Sequence, residues 1–124
     1  MNAAQLPFLV EGILILTTMV LGVLIGRAGK PYGKVKLGIH LFLYLWFTVG
    51  FAFVASALLI GNISNLTWGL VAVMGLAILT QLVTGIWMSV SKNPGKALPK
   101  IHGVSALLLV VSDVVAFLLT GISS

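Results

Sequence analysis

The sequence predicts an all-α integral membrane protein, a four-helix bundle built from a duplicated helical hairpin. Three observations lead there. Of 124 residues, 60% are hydrophobic and 7% charged, where a soluble domain carries about a quarter charged. Four apolar runs, about 8–26, 37–60, 67–90 and 101–121, each approach the roughly 20 residues that cross a bilayer as a helix. The chain also repeats itself. Gly33-Lys34, four residues, then Ile39-His40 returns as Gly95-Lys96, four residues, then Ile101-His102. Upstream of each, Ile15-Leu16-Thr17 with Val20 and Gly22 is echoed by Ile78-Leu79-Thr80 with Val83 and Gly85. The repeats span about 8–60 and 67–121, within a single transmembrane domain covering 1–124.

The elements follow in order. Residues 1–26 hold no Lys or Arg, whereas a signal peptide begins with a basic stretch, so the first run reads as a retained span. A basic connection follows, from Arg27 to Lys36, with Pro31 punctuating it. Helix 2 carries His40 a few residues in and ends at the polar turn Gly61-Asn62-Ile63-Ser64-Asn65. Helix 3 leads to a second basic connection, Ser91 to Lys100, which contains Pro94. Pro99 stands at the start of helix 4, where an N-terminal proline is tolerated, and His102 opens that helix.

Charge placement sets the expected topology. All seven basic residues (Arg27, Lys30, Lys34, Lys36, Lys92, Lys96, Lys100) fall in or beside the first and third connections. By the positive-inside rule loops 27–36 and 91–100 are cytoplasmic and both termini lie outside. A net charge of +5 distributed this way reads as topology and anionic-lipid contact rather than nucleic-acid binding. The absence of cysteine excludes disulfides, thiolate metal ligands, c-type haem attachment and iron–sulfur clusters. No Walker-type loop, Ser-His-Asp arrangement or zinc box is present, and two histidines without a third ligand make a poor zinc site.

Each repeat has an even number of spans, so the two copies enter the membrane in the same direction. A pseudo-two-fold axis along the membrane normal relates them, unlike inverted repeats. Helices 2 and 4 are diagonal neighbours in an up-down bundle, which sets His40 and His102 to face one object on that axis. A single b-type haem suits the placement, with the two neutral imidazoles as axial ligands. Gly22 and Gly85, at histidine depth on helices 1 and 3, leave backbone space for a flat macrocycle. Lys34, Lys36, Lys96 and Lys100 are positioned to neutralise its propionates. With both axial positions filled, the expected role is electron transfer.

The only two acids extend the pattern. Asp113 lies eleven residues after His102, and Glu11 eleven before Gly22. Eleven helical steps return nearly to the same face about 16 Å further on. Gln81 shares the face of Gly85, one turn deeper. Intramembrane carboxyls are costly and mark functional sites, and with Gln81 they read as a proton or quinol path opening outward.

The twice-occurring Lys-x4-Ile-His and the four-helix plan resemble the small membrane b-type cytochromes with cytochrome b561-like bundles. The resemblance implies haem-ligating histidines in the four-helix core, here His40 and His102, and electron exchange with quinones, soluble donors or partner subunits. Two-haem members need four ligands, so this chain departs from them with one bis-His haem at most. Glu11 in the first helix is similar to the key glutamate of small multidrug transporters, although the parallel duplication is not their plan. The leading expectation is a haem b electron carrier or anchor subunit of a quinone-linked oxidoreductase complex. Its partners are the lipid bilayer, other membrane or redox subunits, and quinone. The competing expectations are a cofactor-free scaffold subunit and a proton-coupled transporter using Glu11 and Asp113.

Overall fold

The computed structural model describes residue 3 and residues 5–30, 32–60, 65–93 and 95–122. Pro31, Pro94 and most of the turn expected at 61–65 lie outside the described residues. Four helices form: α1 (Leu6–Ala28), α2 (Lys34–Ile60), α3 (Asn65–Val90) and α4 (Ala97–Ile122). Each contains a stretch of at least 23 residues apolar enough to cross a membrane. The all-α bundle expected from the sequence is therefore present.

Every helix runs a few residues beyond its apolar run. A helix continues through Lys or Arg without cost and stops where the backbone changes. Lys34 and Lys36 thus lie in the first turn of α2, and Arg27 in the last turn of α1. Pro7 stands in the opening turn of α1, where its missing N–H removes no intrahelical bond. Pro99 does the same in α4. Gly29 follows α1 and Gly95 precedes α4, both at φ 75°, a backbone region that side chains disfavour.

α1 packs against both α2 and α4, and α4 packs against α3. α2 and α4 are therefore diagonal. Tyr44 on α2 reaches α3, its hydroxyl donating to the Ile78 carbonyl at 2.5 Å. Lys30 Nζ donates to the Ser91 carbonyl, which ties the two basic connections together at one end of the bundle.

The surface is inverted relative to a soluble protein. Val35, Phe53 and Val90 are about three-quarters exposed, while Glu11 and Asp113 are 5% and 3% exposed. Trp46, Trp68 and Trp87 also face outward. Such an apolar exterior around polar side chains fits a lipid solvent, and the chain is a multi-pass membrane protein.

Inside, the bundle is layered. Nearest the basic end lie His40, His102, Gly22 and Gly85. Below them come Tyr44, Gln81, Ser105 and Ala106. A fully apolar layer follows, in which Ile15, Phe47 and Leu109 are at most 1% exposed and pack with Ala77 and Ile78. Beyond it are Glu11, Gly12, Gly50 and Asp113, and finally Gln5, whose amide donates to the Phe117 carbonyl at 3.0 Å.

Candidate functional site

The two histidines meet. Their ring centroids are 6.5 Å apart, with planes inclined at 52°, although 62 residues separate them in the chain. Each ring rests on the glycine expected at its depth. A Cβ on Gly22 would lie 2.9 Å from His40 Cε1, and one on Gly85 would lie 3.3 Å from His102 Cε1. The duplicated hairpin thus builds the same seat twice, with glycine on the first helix and imidazole on the second.

The Nδ1 atoms are both engaged. His40 Nδ1 lies 2.9 Å from the Thr18 carbonyl oxygen, which can only accept, so Nδ1 carries the proton. His102 Nδ1 lies 2.8 Å from Thr84 Oγ1. That hydroxyl gives its own proton to the Thr80 carbonyl at 2.6 Å, so it accepts from His102. In a neutral imidazole the other nitrogen then bears a lone pair. Both histidines therefore keep Nε2 as a potential ligand, held in one tautomer as metal-binding histidines are.

Gln81 supports this cluster from α3. Its amide nitrogen donates to the His102 carbonyl and, at 3.0 Å, to Ser105 Oγ. Ser105 in turn donates to the same carbonyl at 2.9 Å. These bonds fix the first turns of α4 against α3. Gln81 accordingly sits with the histidines, and the apolar layer separates it from Glu11 and Asp113.

Both imidazoles line one cavity of about 530 Å³. Its walls are mainly apolar, including Met19, Leu37, Leu41, Ile86 and Ala106, with Gly22 and Gly85. Tyr32 and Pro99 also border it, so it extends to the basic end. Its size and lining are those of a site for an apolar ligand of cofactor size. Lys34, Lys36, Lys96 and Lys100 are all exposed at this end. Lys30 Nζ lies 5.4 Å from the centre of the Tyr32 ring, within cation–π range.

Among the described residues, no three His, Cys, Asp or Glu side chains converge in a way that would hold a metal ion. A metal bound by His40 and His102 needs further ligands, and a tetrapyrrole supplies four in a plane.

Three contributors escaped the sequence reading: the Thr18 carbonyl, the Thr84 hydroxyl and Tyr44. Tyr44 is four residues after His40, one turn along the same face, and that spacing is a signal for it. The acids occupy glycine notches of their own. The Glu11 carboxyl presses against Gly50 on α2, and a Cβ on Gly12 would lie 2.7 Å from Asp113 Oδ2. No family model, curated protein or solved structure matches this chain.

Proposed function

We propose that the chain is a membrane b-type cytochrome that binds one haem b, which His40 and His102 would hold through its iron. A single observation carries the reading. Two imidazoles, each with Nδ1 engaged in a hydrogen bond, line one apolar cavity with ring centroids 6.5 Å apart. A bound haem would supply one-electron redox chemistry between ferric and ferrous iron.

The chain's own residues do the rest. Gly22 and Gly85 give the imidazoles room to lie close to the helix backbone. The Thr18 carbonyl and Thr84 hydroxyl hold the rings in orientation and raise their basicity. Met19, Leu41, Ile86 and Ala106 exclude water, which limits reorganisation when charge changes. Lys34, Lys36, Lys96 and Lys100 neutralise propionates at the basic end. Held by both histidines, such a haem would supply electron transfer within the bilayer, between a quinone-class donor and a redox partner subunit. The basic loops face the cytoplasm and the termini the opposite side.

The test is direct. The protein is expressed in a haem-replete host, purified in mild detergent, and oxidised and dithionite-reduced visible spectra are recorded, with haem add-back alongside. Sharp bands of a low-spin b haem, near one per chain, are expected. His40→Ala and His102→Ala each remove them, while Glu11→Gln keeps them. A folded protein that stays colourless after add-back, or full pigment in both His variants, overturns the assignment and leaves the scaffold role.

A further inference from the structure

The bundle buries a second polar centre that the haem reading does not use. Glu11 on α1 and Asp113 on α4 are 95% and 97% shielded from solvent, taken from exposures of 5% and 3%. Asp113 is seated over Gly12, the neighbour of Glu11 in α1. Glu11 Oε2 and Asp113 Oδ1 are buried with no hydrogen-bond partner. Two carboxyls thus point unsatisfied oxygens into the interior from adjacent helices.

Among the described residues, no cationic side chain compensates them. All seven Lys and Arg side chains are exposed at the basic end. The contacts of the two carboxyls are with Gly50 of α2 and Gly12 of α1, neither of them charged. His40, His102 and Tyr44 are the other titratable side chains of the bundle interior among the described residues. The histidines lie across the apolar layer of Ile15, Phe47 and Leu109, about 16 Å away for eleven helical residues. Two adjacent carboxylates without a counter-charge are far costlier than a fold of marginal stability tolerates.

We propose that Glu11 and Asp113 form an intramembrane proton-binding site in which at least one of the two buried carboxyls is held protonated. Protonation removes a buried charge that no cationic side chain among the described residues offsets. The proton is favoured over a metal cation by the donor set. Calcium takes six to eight oxygens and magnesium six, whereas this site offers two carboxyls and no third His, Cys, Asp or Glu among the described residues. The surrounding helix carbonyls are committed to their own helices.

The layering also sets the side from which the proton comes. The dry layer of Ile15, Phe47 and Leu109 closes the route to the histidines, while Glu11 is only six residues, about 9 Å, from Gln5 at the start of α1. Proton exchange therefore occurs with the face opposite the basic loops. The proposal stands apart from the haem reading, since it needs no cofactor.

Infrared spectroscopy of the purified protein in lipid nanodiscs, titrated with pH, tests it. Wild-type protein is expected to show a protonated-carboxyl C=O band at neutral pH that disappears on alkalinisation. Glu11→Gln and Asp113→Asn each alter that titration, and the double variant abolishes the band. Loss of the band on adding sodium or calcium at fixed pH identifies a cation site and overturns the proposal. Absence of a protonated band in folded wild-type protein, or its persistence in the double variant, overturns it equally. Haem content, read from the visible spectrum of the same samples, separates failure here from failure of the cytochrome assignment.

Discussion

Gly22 and His40 are in contact so close that a methyl group on the glycine would stand 2.9 Å from the imidazole Cε1. Real Cβ atoms do not approach other atoms so closely, so an alanine there must displace the ring. At the equivalent Gly85 the distance to His102 is 3.3 Å, which a shift of a few tenths of an ångström relieves. The repeat is thus symmetric in plan and unequal in tolerance. Gly22→Ala is expected to weaken haem binding by about tenfold or more, the range seen when ligand orientation is disturbed. Gly85→Ala should stay within about threefold on the same scale. Haemin titration of apoprotein, followed by absorbance, measures both. The reverse order would show that the rings do not sit on these glycines in the loaded protein.

The anchors of the two histidines differ in one partner, and that yields a sharper contrast. Beside a backbone hydrogen bond to Gln81, His102 has a side-chain anchor, the Thr84 hydroxyl at 2.8 Å. His40 depends on the backbone carbonyl of Thr18 at 2.9 Å, while the Thr18 hydroxyl donates to the Leu14 carbonyl at 2.7 Å. Thr84→Val therefore removes an anchor and Thr18→Val does not. Haem affinity should fall about ten- to a hundredfold in the first and remain at the wild-type level in the second. Equal losses in both would make the threonines packing residues rather than anchors.

This contrast also shows what the sequence discloses. The four helices are legible because uninterrupted apolar runs leave one physical solution in lipid, and only their ends move, where Lys34 and Arg27 continue a helix as readily as any residue. The histidines are legible because a duplicated motif holds both of them. Their anchors are not. A backbone carbonyl such as that of Thr18 has no residue signature, and Thr84 corresponds to Leu21 in the first repeat, so symmetry conceals it. The notch of Glu11 is similarly hidden, since Gly50 acquires meaning only once α1 and α2 adopt their register. Gln81 shows the opposite risk. Face periodicity sets it one turn from Gly85, and the sequence reads it with the acids as part of a proton or quinol path, yet its amide binds the His102 carbonyl and Ser105.

Tyr44 links α2 to α3 through the Ile78 carbonyl, a bond between the two hairpins. Ile78 lies within α3, where its carbonyl also serves the helix, so losing the phenol leaves no acceptor stranded. Tyr44→Phe is expected to cost only the net value of one hydrogen bond, about 0.5–1.5 kcal/mol, or roughly 2–6 °C in Tm for a chain of this size. Thermal unfolding in detergent reads this, with the lipid-facing Trp46→Phe as an unchanged control. A change in haem spectrum instead of Tm would place the hydroxyl in the cofactor site.

The basic end decides orientation. Arg27, Lys30, Lys34 and Lys36 belong to the first connection and Lys92, Lys96 and Lys100 to the second, and the Lys30–Ser91 bond joins them. On the proposed topology a phosphatase fused after Ile122 should be active, and inactive when inserted beside Lys92. A fluorescent-protein fusion should give the opposite pattern. Replacing Lys92, Lys96 and Lys100 together by Gln should leave the orientation unchanged, because four cations remain in the first connection and loop bias, not total charge, directs insertion. Replacing all seven should mix or invert it. Fusions that report the basic loops outside in the wild-type chain would contradict the assigned topology and move the proton-exchange face of Glu11 and Asp113 to the cytoplasm.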